Sequence, residues 1–101
     1  MMSTSKKPAG RHLDEVVGEF LQTADARAAY VEAVLADGDV ATLRAALRDV
    51  ARAQGMADVA RRAGVGEKSL FRALGDAGNP RLDTLYKVLA ATGMRLHVTA
   101  A

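Results

Sequence analysis

Residues 56–74, MADVARRAGVGEKSLFRAL, constrain this chain more than any other stretch. Apolar or small residues fall at Val59, Ala60, Ala63, Val65 and Leu70, the spacing of two short helices. Gly64 stands between them, where a sharp turn calls for a positive φ that glycine adopts without steric cost. Ala60 is small where the two helices must cross, so their backbones can approach. Two short helices joined by a tight turn in this way make a helix-turn-helix, whose second helix enters the DNA major groove.

The flanking sequence predicts further helices. Leu13, Val16, Val17, Phe20 and Leu21 recur at helical spacing and predict a short helix over 13–22. A second is expected over 26–36, capped by Asp25, with Ala26, Tyr30, Ala33 and Val34 on its apolar face. Asp37-Gly38 stops it, and Asp39 caps a third over about 40–53, with the stripe Val40, Leu43, Leu47 and Val50. Gln54-Gly55 ends that helix, and the pair at about 56–63 and 66–74 follows. Residues 75–78 form a loop. Asn79-Pro80 then reads as an N-cap with proline at the first helical position. Leu82, Leu85, Tyr86 and Leu89 give the last helix its buried face, which ends near Thr92-Gly93.

After Gly93 the period changes. Met94, Leu96 and Val98 alternate with Arg95, His97 and Thr99, the pattern of a short strand. A lone strand leaves backbone groups unpaired, so it calls for a partner. The same strand of a second protomer is the first choice, since DNA readers of this kind meet palindromic half-sites as dimers. The N-terminal segment, a partner protein or a frayed tail are the alternatives.

Composition narrows the function classes. Half of the 101 residues are hydrophobic but only 4% are aromatic, and much of the apolar content is alanine, which favours close-packed helices over sheets. The absence of cysteine removes disulfides, thiolate catalysis and Cys-based zinc sites, and fits a cytoplasmic protein. No apolar run approaches the ~20 residues of a membrane helix, and MMSTSKKPAG lacks the apolar core of a signal peptide. Residues 1–12 are expected to be a disordered basic tail, and 13–101 a single domain.

The net charge of +2 hides an uneven distribution. Residues 13–39 carry seven acids against Arg27 alone, whereas residues 40–101 carry ten Lys and Arg against five Asp and Glu. The basic part suits phosphates and the acidic part suits a basic partner. Ordinary solvated helix faces are the alternative for both.

On the second helix of the pair, Glu67, Lys68, Ser69, Phe71 and Arg72 are the base-reading candidates, while Leu70 and Leu74 face inward. Lys68 and Arg72 lie four apart on one face. Arginine can grip guanine O6 and N7 with two hydrogen bonds, and lysine reaches the same atoms. Glu67 can accept from a cytosine amino group, or merely complement the helix dipole. Phe71 can touch a thymine methyl, but filling the core edge is the preferred reading. Arg61, Arg62, Asn79 and Arg81 are candidates for phosphates. Gly66 stands where Ser or Thr would cap the helix and reach a phosphate, and offers no side-chain oxygen.

Catalysis finds no foothold. His12 and His97 are far apart and neither has metal-ligand spacing, so no metal or cofactor is expected. There is no Gly-rich phosphate loop and no Gly-x-Ser-x-Gly, and the neighbours Asp14 and Glu15 point different ways on a helix. The chain reads as a DNA binder rather than an enzyme.

The runs ARRAGV (60–65), SLFRAL (69–74), GNP (78–80) and GMRLHV (93–98), with AAYVEAVLADGD upstream, resemble the addiction-module antidote proteins. These are a HigA-like branch of the Xre/lambda-repressor-like helix-turn-helix proteins. The resemblance covers about residues 26–98. It implies an all-α fold of five to six helices with the short C-terminal β-strand. It also implies an antitoxin that binds a RelE/HigB/ParE-like toxin and represses its own operon. Such toxins are small and basic, so Asp25, Glu32 and Asp37 become candidates for the toxin-facing surface. Residues 1–25 match the family pattern poorly. Two rivals are a stand-alone repressor without a toxin, and a toxin-binding module that has lost DNA contact.

Overall fold

A computed structural model describes residues 13–101, with side chains from Glu15 onward. The expected basic tail, residues 1–12, lies outside the described residues. Six α-helices follow one another: α1 (Leu13–Phe20), α2 (Ala24–Asp37), α3 (Val40–Gln54), α4 (Met56–Ala63), α5 (Glu67–Ala73) and α6 (Leu82–Ala91).

Local chemistry sets the boundaries. The Thr23 hydroxyl accepts from the Ala26 amide at 3.1 Å, so Thr23 rather than Asp25 is the N-cap of α2. Packing of α2 on α3 buries Val31, whereas the expected Ala33 is exposed. Gly38 ends α2 at φ +75°, and Asp39 caps α3 by accepting from Ala41 N and Thr42 Oγ1. These hydrogen bonds, the hydroxyl's first, hold the Asp39 carboxyl below the usual carboxylate range.

One core joins the helices. Leu21, Leu47, Val50, Val59, Leu70, Leu74 and Val88 are essentially inaccessible to solvent. The central helix α3 packs against α1, α2 and α4, and α4 packs in turn against α5 and α6. The buried Thr92 hydroxyl donates back to Val88 O at 2.8 Å, so it brings no unsatisfied polar group into the core. Gln54 Nε2 donates to Ala91 O at 2.9 Å and ties the end of α3 to the end of α6.

Two expectations are corrected here. Asn79 does not cap α6. The chain stays extended through Pro80 and Arg81 (ψ 158° at Arg81), and α6 begins at Leu82. Asp83 supplies the first-turn acceptor by taking a hydrogen bond from Thr84 N at 2.8 Å. Packing against α4 puts Val88 and Leu89 in the core and leaves Leu82 and Tyr86 exposed. The second correction concerns residues 94–98, for no strand forms among the described residues. A strand exists only as a ladder with a neighbour, and none of the described residues pairs with that segment.

Tyr30 and Asp49 join α2 to α3. The phenol donates to Asp49 Oδ2 at 2.8 Å. Burial first, then this bond and the carboxylate charge, push the Tyr30 pKa up to about 12. A raised folded-state value means that this contribution is complete below pH about 10 and is lost as pH rises towards 12. A tyrosinate absorbance titration should therefore show a phenol ionising near pH 12 that disappears in Tyr30→Phe. Ionisation of Tyr30 at the unperturbed value of 10.0 would contradict the bond.

Candidate nucleic-acid interface

Helix α4 ends at Gly64 with φ +72°. The Gly64 amide donates to Arg61 O at 3.2 Å and the Val65 amide reaches Ala60 O at 3.0 Å, the closure that a left-handed residue permits. The positive φ anticipated at this glycine is present. Ala60 is 3% exposed where α4 meets the core. From Gly66 the chain enters α5, which has seven residues and no side-chain N-cap.

Successive residues on a helix are about 100° apart, so burying Leu70 and Leu74 turns the rest of α5 outward. Glu67, Lys68, Ser69, Phe71 and Arg72 are all exposed. The expectation that Phe71 fills the core edge fails: its side chain is 55% exposed, because Leu70 and Leu74 already occupy the inward positions. The exposed side of α5 thus presents a carboxylate, an ammonium, a hydroxyl, an aromatic ring and a guanidinium.

Arg61 and Arg62 are exposed on the last turn of α4, and both pair with Asp58 one turn earlier. Arg62 Nε lies 2.9 Å from Asp58 Oδ2. Gln54 Nε2 also points at this carboxylate; its hydrogen bond, then the charges of Arg62 and Arg61, hold the Asp58 carboxyl below the usual range. The sequence reading missed this pairing, although the three- and four-residue spacing carries its signal. Arg81 Nε lies 3.2 Å from Asp83 Oδ1 and first among several contacts keeps that carboxyl low. Asn79 and Arg81 are exposed on the extended segment that leads into α6.

The proposed toxin-facing acids are all exposed on α2. Asp25 and Glu32 edge a cleft of about 310 Å³ lined by Val31, Leu47, Leu85 and Leu89 and by Met94 and Leu96. Asp37 ends α2 and is not part of that cleft. Val98 is 84% exposed and stands clear of it. Among the described residues no group of His, Cys, Asp and Glu is placed to hold a metal ion, and no helix is long and apolar enough to cross a membrane.

Three arginines escaped sequence reasoning. Arg27 donates to the Leu21, Gln22 and Thr92 carbonyls, Arg44 to the Asp76 and Gly78 carbonyls, and Arg48 to the Leu74 carbonyl and the Asp76 carboxylate. Periodicity carries no signal for such bonds, since it reports which face a residue occupies and not what its far end reaches.

Comparison with known proteins decides the family. Residues 13–100 match the family described as "Probable addiction module antidote protein". The chain belongs to this family. An uncharacterized protein of Haemophilus influenzae is 33% identical to this antidote protein over 82 residues, covering 81% of this chain and 84% of that one. No solved structure matches the chain. The family match spans all six helices and begins at residue 13, so it takes in α1, which the resemblance read from the sequence leaves out.

Proposed function

We propose that this antidote protein is a helix-turn-helix antitoxin that neutralises a RelE/HigB/ParE-like toxin and represses its own operon. The observation that carries the DNA half is the α4–Gly64–α5 unit. Leu70 and Leu74 are buried, and five side chains able to meet bases stand exposed on α5. Lys68 and Arg72 would reach guanine edges, Ser69 and Glu67 the neighbouring groups, and Phe71 a thymine methyl. The exposure of Phe71 favours that use. Arg61, Arg62, Asn79 and Arg81 would meet phosphates; for the first two a phosphate must compete with Asp58. The toxin half rests on family membership together with the exposed acids Asp25, Glu32 and Asp37, whose charge suits a basic partner.

The test is fluorescence anisotropy of the protein against the DNA upstream of its own gene and against random duplex, at two salt concentrations. Selective, salt-sensitive binding is the expected result. Equal, weak binding to both duplexes would remove the repressor role and leave a toxin-binding module. Absence of a co-purifying toxin from the neighbouring gene would leave a stand-alone repressor.

Arg72→Ala should lower the preference for the upstream DNA about tenfold or more while binding to random duplex changes little, as loss of a bidentate base contact does. An unchanged preference would take base reading away from Arg72.

The protein is also expected to be a homodimer through residues 94–98. Met94, Leu96 and Val98 alternate along a segment that forms no ladder among the described residues, and antiparallel pairing with a second copy would supply one. Truncation after Gly93 should then convert a dimer to a monomer in sedimentation velocity. A truncated chain that still sediments as a dimer would move the interface elsewhere.

A further inference from the structure

The loop between α5 and α6 is gripped from behind by two arginines of α3. Arg44 Nη1 donates to Gly78 O at 3.0 Å and its Nη2 to Asp76 O at 2.7 Å. Arg48 Nη1 donates to Leu74 O at 3.3 Å and pairs with Asp76 Oδ1 at 3.0 Å. Three carbonyls that follow α5 thus receive guanidinium donors from another helix. On its other side the loop presses on α5 itself. A Cβ added to Gly78 would stand 2.1 Å from Ala73 O and 2.5 Å from Arg72 O. The Gly78 amide closes the loop onto Gly75 O at 2.9 Å. The course of the chain from Leu74 to Gly78 is therefore fixed from both sides.

This grip is not the cheapest way to fill the space. The Nε atoms of Arg44 and Arg48 are both buried without a hydrogen-bond partner. Such groups cost stability, and an apolar side chain at a half-buried position would avoid the cost. What the arginines add is direction. A guanidinium is a rigid planar fork, so two donors on neighbouring carbonyls fix angle as well as distance. The fixed segment begins at the C-terminus of α5, next to Arg72, and runs towards Asn79 and Arg81.

We infer that Arg44 and Arg48 are positioning residues for base reading. They set the attitude of α5, and the separation of Arg72 from Arg81, without touching DNA. The inference rests on the DNA-binding reading of α4 and α5. A seven-residue helix is too short to hold its own geometry, and a bidentate contact weakens steeply with misalignment. Leu70 and Leu74 hold α5 to the core through apolar contacts, which are non-directional and leave its attitude less defined than hydrogen bonds would. The clamp supplies hydrogen bonds at its C-terminal end.

The experiment uses the full chain with Arg44→Lys, Arg48→Lys and the double variant, and Asp76→Ala alongside them. Lysine keeps the charge but loses the fork. Asp76 is 96% exposed, so its removal releases Arg48 with little risk to folding. Thermal melts establish that each variant is folded. Hydrogen exchange reads the amides of residues 74–81, and anisotropy reads binding to the upstream DNA and to random duplex. The expected result is a folded protein whose loop amides exchange about tenfold faster. Affinity for random duplex and its salt dependence should stay unchanged, while preference for the upstream DNA falls about tenfold. Asp76→Ala should move both quantities in the same direction by less.

Loop exchange unchanged in the folded lysine variants would overturn the clamp itself. A freed loop with unchanged preference would overturn the positioning role while leaving DNA binding intact. If the wild-type protein shows no preference at all, the DNA-binding reading fails, and this inference is overturned with it. Should the double variant not fold, the single variants and Asp76→Ala decide the matter by the same readouts.

Discussion

Leu70→Ala is expected to remove about 2–5 kcal/mol of stability, measured as a lowered urea midpoint with the slope unchanged. Leu70 is fully buried in the common core and is the inward anchor of α5 together with Leu74. A seven-residue helix has almost no stability of its own, since isolated helices below ~12–15 residues are marginal in water. Nearly everything that keeps α5 helical is therefore the burial of these two side chains. Small domains have about 5–15 kcal/mol in total, so this one truncation takes a large share. At sub-denaturing urea the loss should appear first as faster hydrogen exchange along α5, with DNA selectivity falling before the rest of the chain melts. A change below about 1 kcal/mol would mean that Leu70 is not packed as described. Phe71→Ala, next along the helix but exposed, should by contrast leave the midpoint nearly unmoved and report only on DNA binding.

That contrast marks how far the sequence could be read. Most helix ends were legible because they carry a chemical marker, whereas the end of α1 carries none and was read two residues late. Gly38, Gly55 and Gly64 all take positive φ, and Asp39 caps α3 as its position indicated. The two-helix unit was legible too, with Leu70 and Leu74 inward and Glu67, Lys68, Ser69 and Arg72 outward, whereas Phe71, read as core edge, is exposed. Helix rotation was less legible. In α2 and α6 alanine, valine, leucine and tyrosine surround much of the helix, so several faces look apolar. The packing partner then decides between them, α3 for α2 and α4 for α6. Val16 and Phe20 on α1 and Leu82 and Tyr86 on α6 stay exposed although the pattern makes them look like core. The strand over residues 94–98 was read from alternation, which marks a segment able to pair but cannot supply the partner. The acidic Asp25 and Glu32 were chosen from charge together with the family resemblance; only the fold shows that they edge the same apolar cleft.

Arg27→Ala should cost about 2–3 kcal/mol, an effect out of proportion to its place as the lone base in an acidic segment. Its Nε donates to Leu21 O at 3.1 Å, its Nη2 to Gln22 O at 3.2 Å and its Nη1 to Thr92 O at 3.3 Å. The first two carbonyls follow the end of α1 and the third closes α6, helix ends whose last carbonyls have no intrahelical donor. One guanidinium on α2 therefore joins the exits of two helices from opposite ends of the sequence. The closest approach is at Gly93, where an added Cβ would lie 3.3 Å from Ala24 Cβ and 4.0 Å from Arg27 Nη1. Arg27→Lys should recover only part of the loss, because an ammonium cannot present the same planar set of donors. Arg52→Ala, an exposed arginine on α3, serves as the control for charge alone and should change stability by less than about 0.5 kcal/mol. Equal melts for Arg27→Ala and Arg52→Ala would mean that the acidic surroundings, and not the three carbonyls, determine what Arg27 contributes. A larger loss for Arg27→Ala, with Arg27→Lys between, would show a cation retained in an acidic segment for geometry. It would also place the α1–α2 turn, which lies between the exposed acids of both helices, in mechanical contact with the segment that leads to residues 94–98.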